Sequence, residues 1–290
     1  MLRSRKHLAL ALLIVGIYAF CFSAIKVGLT FAPPLRFAAL RSALAGGVLL
    51  AVVAGSGRGV LPDRRLWSGT LALALLGTSI GYAAMFMSPG RTGAGISSVL
   101  GNTGPIIVIV LAAAFLGEPI TRPKVWALLL GTIGVFLIAF PAIADPARAG
   151  AVGFLLPLTS AASLSGATVL LKRLEVGDSL VQVAGWQLVI GALPLAIAAA
   201  VFERQAAIVW GAPFIAILLF LALVGTAFAL WAWYWLVQRE DVGRLSLLFF
   251  LIPVLGLALA GWLFGEQIGP VEAGGVALTL AGIAVVLRAT

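Results

Sequence analysis

Residues 77–134 read GTSIGYAAMFMSPGRTGAGISSVLGNTGPIIVIVLAAAFLGEPITRPKVWALLLGTIG, and residues 225–282 read GTAFALWAWYWLVQREDVGRLSLLFFLIPVLGLALAGWLFGEQIGPVEAGGVALTLAG. Laid on each other without gaps, they coincide at Gly77/Gly225, Thr78/Thr226, Arg91/Arg239, Gly95/Gly243, Ser98/Ser246, Pro105/Pro253, Gly117/Gly265, Glu118/Glu266, Ile120/Ile268 and Gly134/Gly282. Several of these are Gly or Pro, which shape backbone, so the chain carries an internal duplication about half its own length. Upstream the likeness is weaker, with Lys26 meeting Lys172 and Leu49 meeting Leu195.

Outward from that repeat, the 290 residues are 62% hydrophobic and only 10% charged, more apolar surface than one core of this length can hide from water. Apolar runs long enough to cross a hydrocarbon core of ~30 Å recur throughout. Ten spans are expected, at 7–30, 34–54, 66–87, 93–117, 122–141, 150–171, 179–201, 210–237, 243–264 and 270–287. The connections are short, which leaves no room for a soluble catalytic domain or a nucleic-acid module. Each copy of the repeat, residues 1–145 and 146–290, then holds five helices. An odd number forces the second copy to enter the membrane from the opposite side. The expected fold is an all-α integral membrane protein of ten transmembrane helices in two inverted five-helix repeats, an architecture that lets a central site face each side alternately.

The net charge of +9 is informative through its placement. One face collects Arg3, Arg5, Lys6, Arg58, Arg64, Arg65, Arg122, Lys124, Lys172, Arg173, Arg239, Arg244 and Arg288, whereas the other holds Arg91, Arg148 and Arg204. The positive-inside rule puts both termini in the cytoplasm of a multi-pass protein of the bacterial inner membrane. The first apolar run is too long for a signal peptide, and nine more follow it. Cys21 is the single cysteine, lying within the first span, so no disulfide framework, thiolate metal cluster or redox chemistry is expected. The ten acidic residues all fall in loops or at helix ends, which argues against coupling to protons or sodium through a buried carboxylate. The sole histidine, His7, precedes the first span, and no catalytic residues, metal or cofactor are expected.

Pro105, the run Phe115-Leu-Gly-Glu-Pro119 and Gly134, echoed by Pro253, Leu263-Phe-Gly-Glu-Gln267 and Gly282, resemble the drug/metabolite transporter superfamily, in particular its EamA-type members. The second copy departs in having Gln267 where the first has Pro119. The resemblance covers the whole chain and implies a transporter. Among EamA-type proteins this chain is similar to exporters of amino acids, aromatic ones included. A small-molecule substrate, most simply an amino acid, and the lipid bilayer are the partners implied, in a monomer or homodimer. An anionic substrate such as a sugar phosphate or nucleotide sugar is the alternative that the same superfamily offers.

Within this frame Arg41, about seven residues into the second span, must face water or a partner. It either receives a substrate anion or hydrogen-bonds carbonyls within the bundle. Its repeat mate is Gln187. Asn102, in the fourth span three residues before Pro105, has the apolar mate Phe250 and either binds substrate or joins helices. Trp186, deeper than the other tryptophans, is an aromatic wall of the site or a packing residue. Tyr82 and Ser98 are further substrate-binding candidates, and Tyr18 a weaker one. Pro105 and Pro253 are candidate hinges. Trp67, Trp126, Trp210, Trp231, Trp233, Trp235 and Trp262 read as an interfacial belt. Lys26 and Lys172 snorkel to the headgroups, while Glu118 and Glu266 cap the helix that follows each.

Overall fold

In the computed structural model, residues 4–88, 100–143, 151–264 and 269–288 are described, with side chains at 141–143, 151–153 and 260–264 excepted. Ser98, Arg91, Gly95, Asp145, Arg148 and Glu266 lie outside the described residues, as do Arg3, the rest of 265–268 and the side chain of Trp262. The described chain is helical, without strands. Its helices are α1 (Arg5–Gly28), α2 (Pro34–Gly55), α3 (Arg64–Met87), α4 (Gly104–Leu116), α5 (Arg122–Ile143), α6 (Ala151–Leu174), α7 (Gly177–Phe202), α8 (Ala212–Arg239), α9 (242–264) and α10 (Pro270–Arg288). All but α4 are at least 18 residues long and apolar enough to cross a membrane; α4 spans 13 residues among those described.

Packing follows the duplication. Helices α2 and α7, which are repeat mates, lie against each other, as do the mates α5 and α10. Other contacts come in exchanged pairs: α4 on α6 matches α9 on α1, α3 on α6 matches α8 on α1, and α7 on α3 matches α2 on α8. A contact pattern that survives exchange of the halves is the signature of a pseudo-twofold axis, and that axis passes through the α2/α7 and α5/α10 seams.

Between α5 and α10 the backbones touch. A Cβ at Gly134 would sit 2.6 Å from the carbonyl oxygen of Gly275, and one at Gly275 would sit 2.6 Å from that of Gly134. Lipid tails are as apolar as the helices, so close van der Waals approach through small residues replaces the hydrophobic effect as the glue.

Spans four and nine are interrupted. A turn at residues 102–103 precedes α4, and the 3-10 turn Leu248–Phe250 divides α9. Pro105 is the second residue of α4 and Pro253 the third of the segment Leu251–Phe264. The two candidate hinge prolines therefore stand in the first turn after an interruption of the helix rather than inside a continuous one. A proline in the first turn of a new segment forgoes an N–H that would have no helical partner there. Pro157 and Pro194, by contrast, sit within the continuous helices α6 and α7.

Helices α3 and α8 each contain a π-helical turn, Ala74–Ile80 and Leu223–Phe228, and these enclose the repeated pairs Gly77-Thr78 and Gly225-Thr226. A hydroxyl braces each turn against the carbonyl five residues earlier: Ser79 Oγ donates to Ala74 O at 3.1 Å and Thr226 Oγ1 to Leu221 O at 2.7 Å.

Replacing Gly275 by Val drives a side chain into the α5 backbone and lowers stability by roughly 1–3 kcal/mol. Gly274 faces open space, so Gly274→Val leaves the packing intact. Thermal unfolding of the two variants in detergent checks the contrast, and equal midpoints would contradict the seam.

Candidate functional site

Arg41 stands seven residues into α2, roughly 10 Å along the axis from Pro34, and is 3% exposed. Its Nε donates to Thr226 Oγ1 at 2.5 Å and its Nη2 to Gly225 O at 3.2 Å, so the guanidinium grips the π turn of α8 in the other repeat. Its Cζ lies 5.3 Å from the ring centroid of Tyr82 and 5.6 Å from that of Phe86, both on α3. The Sγ of Cys21 closes the other side of the π turn, 2.4 Å from where a Cβ on Gly225 would stand. The third nitrogen, Nη1, is buried without a hydrogen-bond partner, and so is the hydroxyl of neighbouring Ser42. Leaving a buried charged donor unbonded costs more than a neutral hydrogen bond is worth, so Nη1 stands out among the buried polar atoms of the bundle.

The mate residue repeats the contact in neutral form. Gln187 on α7 donates from Nε2 to Thr78 Oγ1 at 3.3 Å, reaching the π turn of α3, while its Oε1 accepts from the hydroxyl of Tyr234. A polar residue on each of the paired helices α2 and α7 thus holds the π turn of the opposite repeat. On one side the holder is a cation with a nitrogen to spare; on the other it is a satisfied amide. Trp233 stacks on Phe249 with centroids 4.5 Å apart, and Tyr18 meets the same Phe249 edge-on at 5.9 Å.

The sequence-predicted residues separate in space. Arg41 and Tyr82 come together, and Gln187 joins the cluster through Tyr234. Trp186 points elsewhere: its Nε1 donates to Val60 O at 3.0 Å and its ring packs on Trp67 at 5.6 Å, which ties α7 to the loop after α2. Asn102 lies in the turn that precedes α4. Thr226, Gly225 and Tyr234 escaped the sequence reading. Their signal was the Gly-Thr pair repeated inside two apolar spans, a polar residue facing the 41/187 position twice over.

Trp126 and Trp210 are exposed on the outer surface, as a belt requires, but Trp233 is 4% exposed and belongs to the core. Trp235 stacks under Arg239, 4.1 Å from its centroid, and meets the His7 ring at 5.0 Å. Lys172 does not simply snorkel, since its Nζ donates to Glu240 O at 2.9 Å. The Glu240 carboxylate pairs with His7 Nδ1.

Two carboxylates fasten the repeats at opposite ends. Glu118 caps α9 rather than the next helix, accepting from the N–H groups of Val242 at 2.8 Å and Gly243 at 3.0 Å. At the other end Glu203 accepts from the N–H groups of Leu35 at 2.8 Å and Arg36 at 3.0 Å. Beside Glu118, Lys124 Nζ lies 2.8 Å from Asp241 Oδ2 and 3.6 Å from Glu118 Oε2. Burial raises the Glu118 carboxyl above its usual range, against the pull of the two N–H groups, and Asp241 adds to the rise. Burial would raise Asp241 too, but its bonds with Lys124, the Arg244 N–H and Glu118 outweigh it and hold Asp241 low.

The profile of the EamA-like transporter family matches residues 5–140 and again 151–288. A probable amino-acid metabolite efflux pump of Salmonella typhimurium is 29% identical over 290 residues, covering 97% of this chain and 94% of that one. An uncharacterized transporter of Bacillus subtilis is 30% identical over 92% of this chain and 86% of its own length. A third relative, an uncharacterized transporter of Archaeoglobus fulgidus, is 26% identical across 98% of this chain and 99% of its own. A solved crystal structure with a TM-score of 0.80 and 21% identity covers 97% of this chain and 96% of that chain, and shows the same fold.

Because Glu118 takes up its proton at higher pH in the fold than in the unfolded chain, its contribution to stability is full below its ordinary value of 4.5 and is lost as pH rises through the raised one. Asp241, held low, contributes above its ordinary value of 3.8 and loses that contribution only at lower pH. Over the window just above pH 4.5, the thermal midpoint of the wild type should fall with rising pH while that of Glu118→Gln stays level. Parallel slopes for the two proteins would remove Glu118 as the titrating group.

Proposed function

Since the chain belongs to the EamA-like transporter family, and is therefore a multi-pass membrane transporter, we propose that it exports small zwitterionic amino acids, with apolar or aromatic side chains favoured. The observation that carries this reading is Nη1 of Arg41, a buried donor on a fixed guanidinium beside the rings of Tyr82 and Phe86. A substrate α-carboxylate completes that donor with a charge-assisted bond, and its side chain packs against the aromatic faces. The efflux-pump name of the 29% identical relative points the same way. Arg41, Tyr82 and Gln187 form the core of the proposed site, and Asn102, Trp186 and Ser98 are the further sequence candidates to be tested.

In the proposed mechanism the carboxylate competes with Thr226 Oγ1 and Gly225 O for the guanidinium. Binding loosens the hold of α2 on α8, while Gln187 keeps its hold on α3. The two inverted halves, residues 1–145 and 146–290, can then exchange conformations, with the breaks at Pro105 and Pro253 as hinges. Among the described residues the carboxylates lie in connections or at helix ends, which supports facilitative transport or exchange. The arginine-rich face is assigned to the cytoplasm of a bacterial inner membrane, with both termini on that side. One buried guanidinium suits a monoanionic carboxylate better than the phosphates of a sugar phosphate or nucleotide sugar, which call for several cations.

Counterflow in liposomes tests the reading. Aromatic and aliphatic amino acids should compete for uptake, nucleotide sugars should not, and Arg41→Gln should weaken apparent affinity at least about tenfold, the loss of ~1.4 kcal/mol of interaction. Competition by nucleotide sugars alone, or an Arg41→Gln variant indistinguishable from wild type, would overturn it.

A further inference from the structure

The seams that the pseudo-twofold axis exchanges are not equally closed. Where α7 meets α3, Gly191 lies against Thr78 and the carbonyl of Ala74, and Ser79 Oγ donates to Gly191 O at 3.0 Å. The matching positions on α2 and α8 are Ala45 and Ala227. Ala45 carries a methyl where Gly191 carries none, and Ala227 has no hydroxyl to bridge the backbones as Ser79 does. The result is a groove of about 440 Å³, walled by Val48, Leu49 and Val52 of α2 and by Leu223, Ala227 and Phe228 of α8. Its volume is within the range of small-molecule sites, and its lining, completed by Val181 and the indole of Trp231, is predominantly apolar. It opens on the lipid-facing surface, where Val52 is 62% exposed and Leu223 39%.

The groove occupies the half of the bundle next to the arginine-rich face. Its end is Val181, in the first turn of the long segment of α7. The following residue, Gln182, donates to Gly59 O at 3.2 Å, and Trp186 pins Val60, so the loop after α2 is fastened to α7 beginning one residue on from the groove's end. Arg58, immediately before Gly59, is exposed, and the same loop continues into exposed Arg64 and Arg65. Asp63, an exposed carboxylate 4.0 Å from Arg65, is the acidic group of that stretch. An apolar slot in the membrane, next in the fold to a loop that carries three exposed arginines, has the complementarity of one kind of molecule.

We infer that the α2/α8 groove is a binding site for an anionic phospholipid of the leaflet on the arginine-rich side, its acyl chain between Val52 and Ala227 and its phosphate at Arg58. The lipid acts as a wedge. It fills the seam that the sequence leaves open, whereas the α3/α7 seam is closed by protein alone. A basic residue at a membrane surface favours an anionic headgroup by about fivefold in affinity.

The test uses the purified full chain, stripped with detergent and titrated with phosphatidylglycerol or phosphatidylcholine of identical chains, with bound lipid counted by native mass spectrometry. One phosphatidylglycerol should be retained per chain, about fivefold more tightly than phosphatidylcholine. Arg58→Ala should abolish that preference while a lipid still binds. Ala227→Leu, which fills the groove, should lose the retained lipid of either headgroup. Val52→Trp blocks the same groove from its exposed rim and gives the same loss where Ala227→Leu does not fold. Undiminished retention in a folded groove-filling variant, or a phosphatidylglycerol preference that survives Arg58→Ala, would overturn the assignment.

Discussion

The guanidinium of Arg41 holding the π turn of α8 is the contact on which the rest of the arrangement turns. A cation placed that far into a span is costly unless it is bonded, and here its bonds run to the opposite repeat. The π turn is what makes the grip possible. The widened turn at Leu223–Phe228 presents Gly225 O and Thr226 Oγ1 side by side to the guanidinium. The glycine also lets Cys21 press against the turn from α1.

Around this contact the duplication supplies architecture and its imperfections supply chemistry. Repeated features do the same work in both halves: the Gly-Thr π turns, the broken spans at Pro105 and Pro253, and the mutual packing of α2 with α7 and of α5 with α10. Departures from the repeat fall where function is proposed. Arg41 faces Gln187 across the axis, so one half carries a cation with a spare donor and the other a satisfied amide. Ala45 and Ala227 replace Gly191 and Ser79, so one seam is open to lipid and its mate is zipped. The capping carboxylates Glu118 and Glu203 hold the halves together at their two ends without copying each other in sequence position.

The fold was legible in the sequence because membrane helices advertise themselves by length and apolarity, and because the ungapped repeat gave the five-plus-five division. The candidate site was legible only in part. Arg41 stood out through its cost in lipid, and Gln187 as its mate. Trp186 stands out in the sequence by its depth, but depth along a helix does not say which way a side chain points, and it binds the Val60 carbonyl instead. Thr226 and Tyr234 carry hydroxyls that cost little in a span and so leave no mark on hydropathy. Likewise nothing in a composition window announces a π turn, which depends on how one hydroxyl and one glycine meet a neighbouring helix. Glu118 is a cap, but of a helix that starts 124 residues away in the chain rather than of the one that follows it, a partner that local pattern could not name.

If Arg41 is shared between the π turn of α8 and the substrate, removing its competitor should help the substrate. A double-mutant cycle of amino-acid binding with Thr226→Val and Arg41→Gln measures this directly. The account predicts that Thr226→Val tightens binding roughly tenfold, the scale of one hydrogen bond to a charged group, and has no effect in the Arg41→Gln background. Equal weakening by Thr226→Val in both backgrounds would show that the two residues act independently and would contradict it.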